Sequence, residues 1–317
     1  MPSVDFGILL WSQASGWPEF LDAAKRVDRL GYAHLWTWDH LYAIFGDPYQ
    51  PIFEGYTTLA AWAVATERVR LGLLVGANTL RNPALVAKEI ATIDHVSNGR
   101  AICGLGGAWF DDEHMHDGYE FGSSIGQRLD WLDESVADVR ALLDGGEITS
   151  EPGGRYAFDR ARHHPTPLQR HVPIMIGGSG EKKTLRTVAK YADMWNGMGP
   201  VDVMRHKIEV LRGHCEAVGR DPSEIEFTLG IKATIRDTEA EAQRVVHEHL
   251  EHNRTPLSEI EGDETFDWYG PPALLAEKLA PYVELGFRTV ISEQPAPYDT
   301  ETLDRLVGEV KPLLERG

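Results

Sequence analysis

Short continuous apolar runs alternate along the chain with longer stretches whose apolar positions recur every three to four residues. The runs predict strands at Val4–Leu10, Ala33–Thr37, Val69–Gly76, Arg100–Gly106, Val172–Ile176, Met194–Asn196, Ile225–Ile231 and Arg288–Ser292. The periodic stretches predict helices. In Pro18–Leu30, the residues Phe20, Leu21, Ala24, Val27 and Leu30 share one face, and Gly31 ends the segment. Tyr56–Thr66, Pro83–Val96, Gly126–Asp144, Gly180–Tyr191, Val201–Val218, Thr238–Leu250, Pro272–Leu285 and Thr300–Leu314 follow the same rule. Residues 145–171 carry no regular period.

Each predicted strand except the last is thus followed by at least one helix before the next strand. Parallel strands need such crossovers, and because both faces are covered they read as unbroken apolar runs. Eight strand–helix units predict a (β/α)8 TIM barrel, an α/β fold. The alternative is a doubly wound open sheet. Its dinucleotide-binding form needs G-x-G-x-x-G after the first strand, and WSQASGW at 11–17 lacks it. No Ser/Gly-rich linker divides the chain, so residues 1–317 are expected to form one domain.

Composition narrows the partners. Lys and Arg number 31 against 49 Asp and Glu, a formal charge of −18, which speaks against nucleic acid or an anionic membrane surface. The two cysteines, Cys103 and Cys215, lie far apart, which excludes a disulfide framework or a cysteine-based zinc site. The N-terminal stretch MPSVDFGILLWSQ has no basic region or long apolar run, and no segment approaches a membrane span. A cytoplasmic protein acting on a small molecule is expected.

In a barrel of this kind the chemistry sits on the loops that follow the strands. Those loops carry Trp11, Ser12 and Gln13; Trp38, Asp39 and His40; Gly76, Asn78 and Arg81; Gly106, Gly107, Ala108 and Trp109; Gly177, Gly178, Ser179 and Gly180; and Asn196 and Gly197. A rim rich in aromatics and glycines and poor in carboxylates suits a flat ring better than metal-assisted hydrolysis. PIMIGGSGEKKTL at 173–185 runs from a buried strand through glycines into a helix, an arrangement that lets backbone N–H groups meet a phosphate. Ser179 either caps that helix or bonds the anion, and Lys182 and Lys183 add charge. His40 is a candidate proton carrier near neutral pH, with Asp39 placed to orient it, or else a histidine packed in the rim. GLGGAW at 104–109 is no Walker motif; its glycines allow close approach.

Two histidine clusters raise a metal reading: Glu113, His114, His116 and Asp117, and His247, His249 and His252 with Glu248 and Glu251. The second is not H-E-x-x-H and reads better as a solvated helix face. The acidic run at 259–267 reads as a solvated loop or a lid.

Taken together, LWTWDHL at 35–41, RVRLGLLVGANTLRNPALVAKEIATIDHVSNGR at 68–100, GLGGAWFDDEH at 104–114, VPIMIGGSGEKKTLRTVAKYADMWN at 172–196 and HCEAVGRDPSEI at 214–225 resemble the bacterial luciferase-like oxidoreductases. The likeness is to the branch that uses the deazaflavin coenzyme F420. It implies a TIM barrel with insertion segments, often dimeric, and a non-prolyl cis peptide at Leu74–Val75 beneath the cofactor ring. It further implies that His40 stands beside the reactive carbon and that Asp39, Leu74, Val75, Gly76 and Ala77 contact the cofactor. Gly106, Gly107 and Ala108 would line the ring edge, and Ile176, Gly177, Gly178, Ser179, Gly180 and Lys182 would hold the phosphate. Trp11, Trp38, Trp109 and Phe110 would shape the substrate pocket. No metal is implied. Members that oxidise sugar phosphates carry a glutamate after the strand-four glycines, where this chain has Trp109. Some members use a lysine after strand six, where this chain has Pro200 and Val201.

The leading expectation is therefore hydride transfer between F420 and a small organic substrate. A reduced-FMN monooxygenase of the same superfamily is the alternative cofactor reading. A metal-dependent hydrolase built on Glu113, His114 and His116, and a non-catalytic cofactor-binding barrel, are the alternatives from other classes. In so acidic a chain, the anion site is expected to gather Arg81, Lys182 and Lys183 at its mouth.

Overall fold

A computed structural model describes residues 3–150 and 152–316. Nine parallel strands form one sheet: β1 Asp5–Leu10, β2 His34–Thr37, β3 Arg70–Leu73, β4 Gly76–Ala77, β5 Cys103–Gly106, β6 Ile174–Gly177, β7 Met194–Gly197, β8 Glu226–Ile231 and β9 Phe287–Gln294. β3 and β4 are two halves of one stave, separated by Leu74–Val75, whose peptide is cis as the resemblance implies. β3 pairs with β2 and β4 with β5. The ring closes where Leu71 bridges Ala101 and the Ile102 N–H donates to Leu71 O at 2.8 Å. Eight staves result, as the strand count predicts.

Alternation along the staves builds two cores. Phe6, Ile8, Leu10, Leu35, Leu71 and Leu73 pack outward against the helices. Leu9, Trp11, Trp36, Trp38, Ile102, Met175, Met194 and Ile291 point inward and fill the barrel. Period-two alternation within buried strands separates these sets. Trp36 fits the interior because residues beside it are small: a Cβ on Gly72 would strike its indole, and one on Gly7 would lie 3.2 Å from its Nε1.

The outer helices are α1 Trp17–Leu30, α2 Gly55–Ala65, α3 Pro83–Ser97, α4 Asp111–Asp117, α5 Ile125–Leu143, α6 Thr184–Tyr191, α7 Val201–Val218, α8 Glu239–His252, α9 Leu257–Ile260 and α10 Pro272–Leu285. Side chains cap several starts: Glu54 accepts from Tyr56 N and Thr57 N, Asn82 from Ala84 N, and Ser124 from Gln127 N. The chain then runs Thr300–Arg305, a π-helical Leu306–Val310 and Lys311–Arg316, where one continuous helix is expected from the sequence.

Other departures concern the insertions. α6 begins four residues later than its apolar period suggests, because the preceding turn is tied to β7: Gly178 N donates to Asn196 O, and Trp195 Nε1 donates to Gly178 O. Ser179 is therefore not its cap. α4 is unforeseen, since six of its seven residues are polar and Met115 alone makes no apolar stripe. Within 145–171, Glu147–Ile148 pairs antiparallel with Ala161–Arg162. The acidic run is partly ordered as α9 and a 3-10 turn at Glu264–Phe266.

The tightest point of the barrel is Gly104 on β5. A Cβ there would fall almost on Leu73 O, a backbone atom that cannot step aside. Gly104→Ala is expected to cost about 3 kcal/mol or more, or to prevent folding. Gly213, within α7, has open space around its Cβ position; Gly213→Ala is expected to stabilise by about 0.5–1 kcal/mol. Thermal unfolding followed by circular dichroism tests both; a tolerated Gly104→Ala would refute the packing argument.

Candidate active site

The C-terminal ends of the staves open into a cleft of about 550 Å³. Trp38, Asp39, His40, Leu74, Val75, Gly76, Ala77, Gly106, Gly107, Ala108, Trp109, Gly177, Gly178, Ser179 and Gly180 all line it, so most of the residues singled out in the sequence are brought together. Four are not. Ile176 is fully buried in β6. Phe110 packs behind the rim against Trp109 and His40, with ring centroids 5.4 and 5.8 Å away. Trp11 is buried behind the wall, stacked on Phe45 at 4.6 Å, and its Nε1 donates to Glu293 Oε2 at 2.9 Å. Lys182 is exposed and outside the cleft.

Val75 forms part of the cleft floor. Its side chain stands where larger neighbours would be: a Cβ on Gly106 would lie 2.5 Å from Val75 Cγ2, and one on Gly177 would lie 3.0 Å from Cγ1. Glycines on β5 and β6 are thus needed for this side chain to enter the mouth. A smooth strip of small residues follows, running from Gly76–Ala77 through Gly106–Ala108 to the Gly177–Gly180 turn.

His40 follows the end of β2 and is oriented by Glu113 rather than Asp39. Its Nδ1 lies 3.2 Å from Glu113 Oε1, and the Leu41 N–H donates to Glu113 Oε2 at 2.9 Å. Glu113 is buried and belongs to α4. This bond fixes the ring and leaves Nε2 for the cleft. Trp38 and Trp109 meet the imidazole edge-on, at 6.3 and 5.6 Å.

The neighbouring His114 turns away. Its Nε2 lies 2.7 Å from Thr79 Oγ1 and its Nδ1 2.8 Å from Phe110 O, and burial lowers its pKa. His116 is exposed beside Tyr42. In the other cluster His249 is buried, not solvated, and His252 Nε2 pairs with Ala14 O at 2.8 Å. Among the described residues no group of histidines, cysteines or carboxylates is placed to hold a metal ion.

The cleft also holds residues that strand-end reasoning passed over. Lys232 and Glu293 sit at the ends of β8 and β9, Ile44 and Phe45 come from the loop after β2, and Thr184 opens α6. Lys232 follows β8 directly and Glu293 is the penultimate residue of β9, so a survey of every strand end would have found them. The expected gathering of Arg81, Lys182 and Lys183 does not occur. Lys183 donates to Gly126 O and both oxygens of Asp130, and Arg81 is engaged by Asp39 and Glu54.

The sequence pattern of luciferase-like monooxygenases matches residues 4–289. This chain belongs to that family. An uncharacterised protein of Mycobacterium tuberculosis is 32% identical over 176 residues, which span 55% of this chain and 60% of that protein, so the chain matches well under two thirds of its length. The F420-dependent glucose-6-phosphate dehydrogenase of Microbacterium testaceum is 26% identical over 96% of this chain and 95% of its own. Among solved structures, an F420-dependent secondary alcohol dehydrogenase bound to an F420–acetone adduct superposes with a TM-score of 0.83, at 19% identity, over 98% of this chain and 99% of its own.

In this luciferase-like barrel a buried charge cluster braces the floor. Asp39 accepts from Ala77 N at 2.8 Å and from Arg81 Nη1 at 2.9 and 2.7 Å, which ties β2 to β4. Arg81 also pairs with Glu54 and lies over the Tyr56 ring at 4.7 Å. Burial raises the Asp39 pKa, although Arg81 and the Ala77 N–H oppose the rise. Glu89 is 3.9 Å from Arg81 Nε and its buried Oε2 has no hydrogen-bond partner; burial pushes its pKa to about 7. Between the unfolded value and about 7 the folded state binds the extra proton, so stability falls as pH rises through that window. Glu89→Gln, which mimics the protonated acid, is therefore expected to raise Tm by a few degrees at about pH 8 and to change it little at about pH 4. Equal shifts at both values, in calorimetric scans, would contradict this.

Proposed function

We propose that this protein is an oxidoreductase that passes a hydride between coenzyme F420 and a small organic substrate. The observation that carries the reading is one cleft in which Glu113-anchored His40 shares the walls with a strip of small residues ending in the Gly177–Gly180 turn. The names of the relatives support the cofactor. The donor set fits it: a flat ring needs the space that glycines leave around Val75, and a phosphate needs backbone amides and a hydroxyl such as Thr184.

When bound, F420 supplies two-electron chemistry as a hydride donor or acceptor. The chain supplies the rest. Val75 would support the ring, and Gly106, Gly107 and Ala108 would border it. Gly177, Gly178, Ser179, Gly180 and Thr184 would hold the phosphate end; the Gly178 N–H is already given to Asn196 O, so the neighbouring amides would carry that role. Trp38, Phe45 and Trp109 wall the substrate space and exclude water. His40 takes or gives the substrate proton at Nε2, and the Glu113 carboxylate at Nδ1 stabilises the imidazolium that forms. With Trp109 in place of a carboxylate, sugar phosphates are poor candidates for oxidation.

The outer face of α2 supports a reading of the oligomeric state. Thr57, Ala60, Ala61 and Val64 form its outer face without a charge, and Val64 is 77% exposed. A helix apolar on all sides belongs in an interface, and we infer a homodimer in the cytoplasm that covers this face. Val64→Glu is expected to yield monomers in sedimentation velocity; a monomeric wild type would refute the dimer.

Titrating the apo-protein with F420 and with FMN, read by fluorescence, tests the cofactor. Tight binding of F420 is expected; binding of FMN alone, with oxygen uptake, would shift the reading to a flavin monooxygenase. His40→Ala is expected to retain F420 binding within a few-fold while lowering kcat by about 10²–10⁴, measured as bleaching of oxidised F420 over a panel of alcohols. Unchanged turnover in that variant would remove His40 from the chemistry.

A further inference from the structure

Among the described residues lining the cleft, Lys232 is the one lysine or arginine. It follows β8 directly, and the register Ile231↔Ser292 places it beside Glu293 of β9. Its side chain is only 9% exposed. The ammonium is met from a single short segment: it donates to Thr265 Oγ1, lies 4.5 Å from the centre of the Phe266 ring, and stands 3.7 Å from Asp263 Oδ2. The Lys232 N–H also donates to Thr265 O at 3.1 Å. An ammonium has three donors, and among the described residues its one ion-pair partner, Asp263, is beyond hydrogen-bond distance, with a side chain 39% exposed. Asp263 Oδ1 is already taken by the Thr265 N–H and hydroxyl. A desolvated cation held this loosely gains from a direct, charge-assisted partner.

We propose that Lys232 anchors an anionic group of the substrate, a small organic monocarboxylate with an apolar body, and that residues 263–266 hold the ammonium until that group displaces Asp263. The inference rests on the reading of the cleft as the substrate site of an oxidoreductase. The charge balance selects a monoanion. Glu113 and Glu293 line the cleft and Asp263 stands 3.7 Å from the ammonium, so a phosphate dianion there would meet three carboxylates for one cation. Phe45, Trp38 and Trp109 supply the surface for the apolar body, with Phe266 packed edge-on against Phe45.

Phenylacetate, its neutral amide phenylacetamide and phenyl phosphate are all smaller than the cleft, so size does not decide the outcome. Calorimetric titration of the full-length protein, with and without F420, is expected to show phenylacetate binding about tenfold or more tighter than phenylacetamide. Lys232→Met is expected to abolish that preference while leaving the amide's affinity unchanged. Asp263→Asn, at an exposed position, removes the competitor and is expected to tighten phenylacetate binding several-fold. Equal affinity of wild type for acid and amide, a preference that survives in Lys232→Met, weaker or unchanged binding in Asp263→Asn, or tighter binding of phenyl phosphate would each overturn the proposal. F420 titration of the same samples keeps the two readings apart. Loss of F420 binding with the carboxylate preference intact would sink the cofactor assignment alone, whereas the reverse result would sink the anchor alone.

Discussion

The close approach of the third stave to the fourth governs the mouth of the barrel. Leu73 O occupies the space of a side chain on Gly104, and Val75 occupies that of side chains on Gly106 and Gly177. The stave satisfies two neighbours by dividing its pairing: β3 bonds to β2, and β4 bonds to β5. Asp39 then reaches from the end of β2 to the Ala77 N–H and so joins the two sides of the division. His40 is the next residue. Its position in the cleft is thus inherited from a backbone arrangement that works only where three neighbouring side chains are missing.

Charge follows a similar economy. In a chain with 49 acidic residues, cations near the mouth are quickly claimed. Arg81 is held by Asp39 and Glu54, and Lys183 by Asp130, so neither is free to hold an anion. An anion held at the Gly177–Gly180 turn, as proposed, would meet backbone dipoles and hydroxyls, which do not draw in competing carboxylates. Lys232 is different because its partners come from a surface segment. Its ion pair with Asp263 is long and peripheral, whereas the one between Arg81 and Asp39 is short and buried.

The barrel was legible because its signal is periodic: buried parallel strands are apolar runs, and crossover helices carry a stripe. The glycine-rich turns were legible because close approach demands residues without side chains. What stayed hidden depends on contacts between distant segments. No local pattern says that Glu113, 73 residues away, reaches His40, while adjacent Asp39 turns to Ala77 and Arg81. Trp11 reads as a rim aromatic because it ends β1, yet its indole turns back to Glu293. The start of α6 was misplaced because apolar period ignores the bonds that hold Gly178 to β7.

The metal reading of 113–117 fails for a reason that also explains how the site is assembled. On a helix, consecutive side chains diverge by about 100°, which parts Glu113 from His114, and His116, though one turn from Glu113, stays at the surface while Glu113 is buried against His40. α4 sends Glu113 to the end of β2, His114 to Thr79, and His116 toward solvent. Density of ligating residues in sequence therefore disperses in space, and the His40–Glu113 pair is made from single residues on separate units. The same holds for Lys232 and Glu293, which are 61 positions apart by number yet adjacent across β8 and β9. In a closed parallel barrel, proximity at the mouth is set by stave order, and a strand end is informative chiefly when read with the ends of its two neighbours.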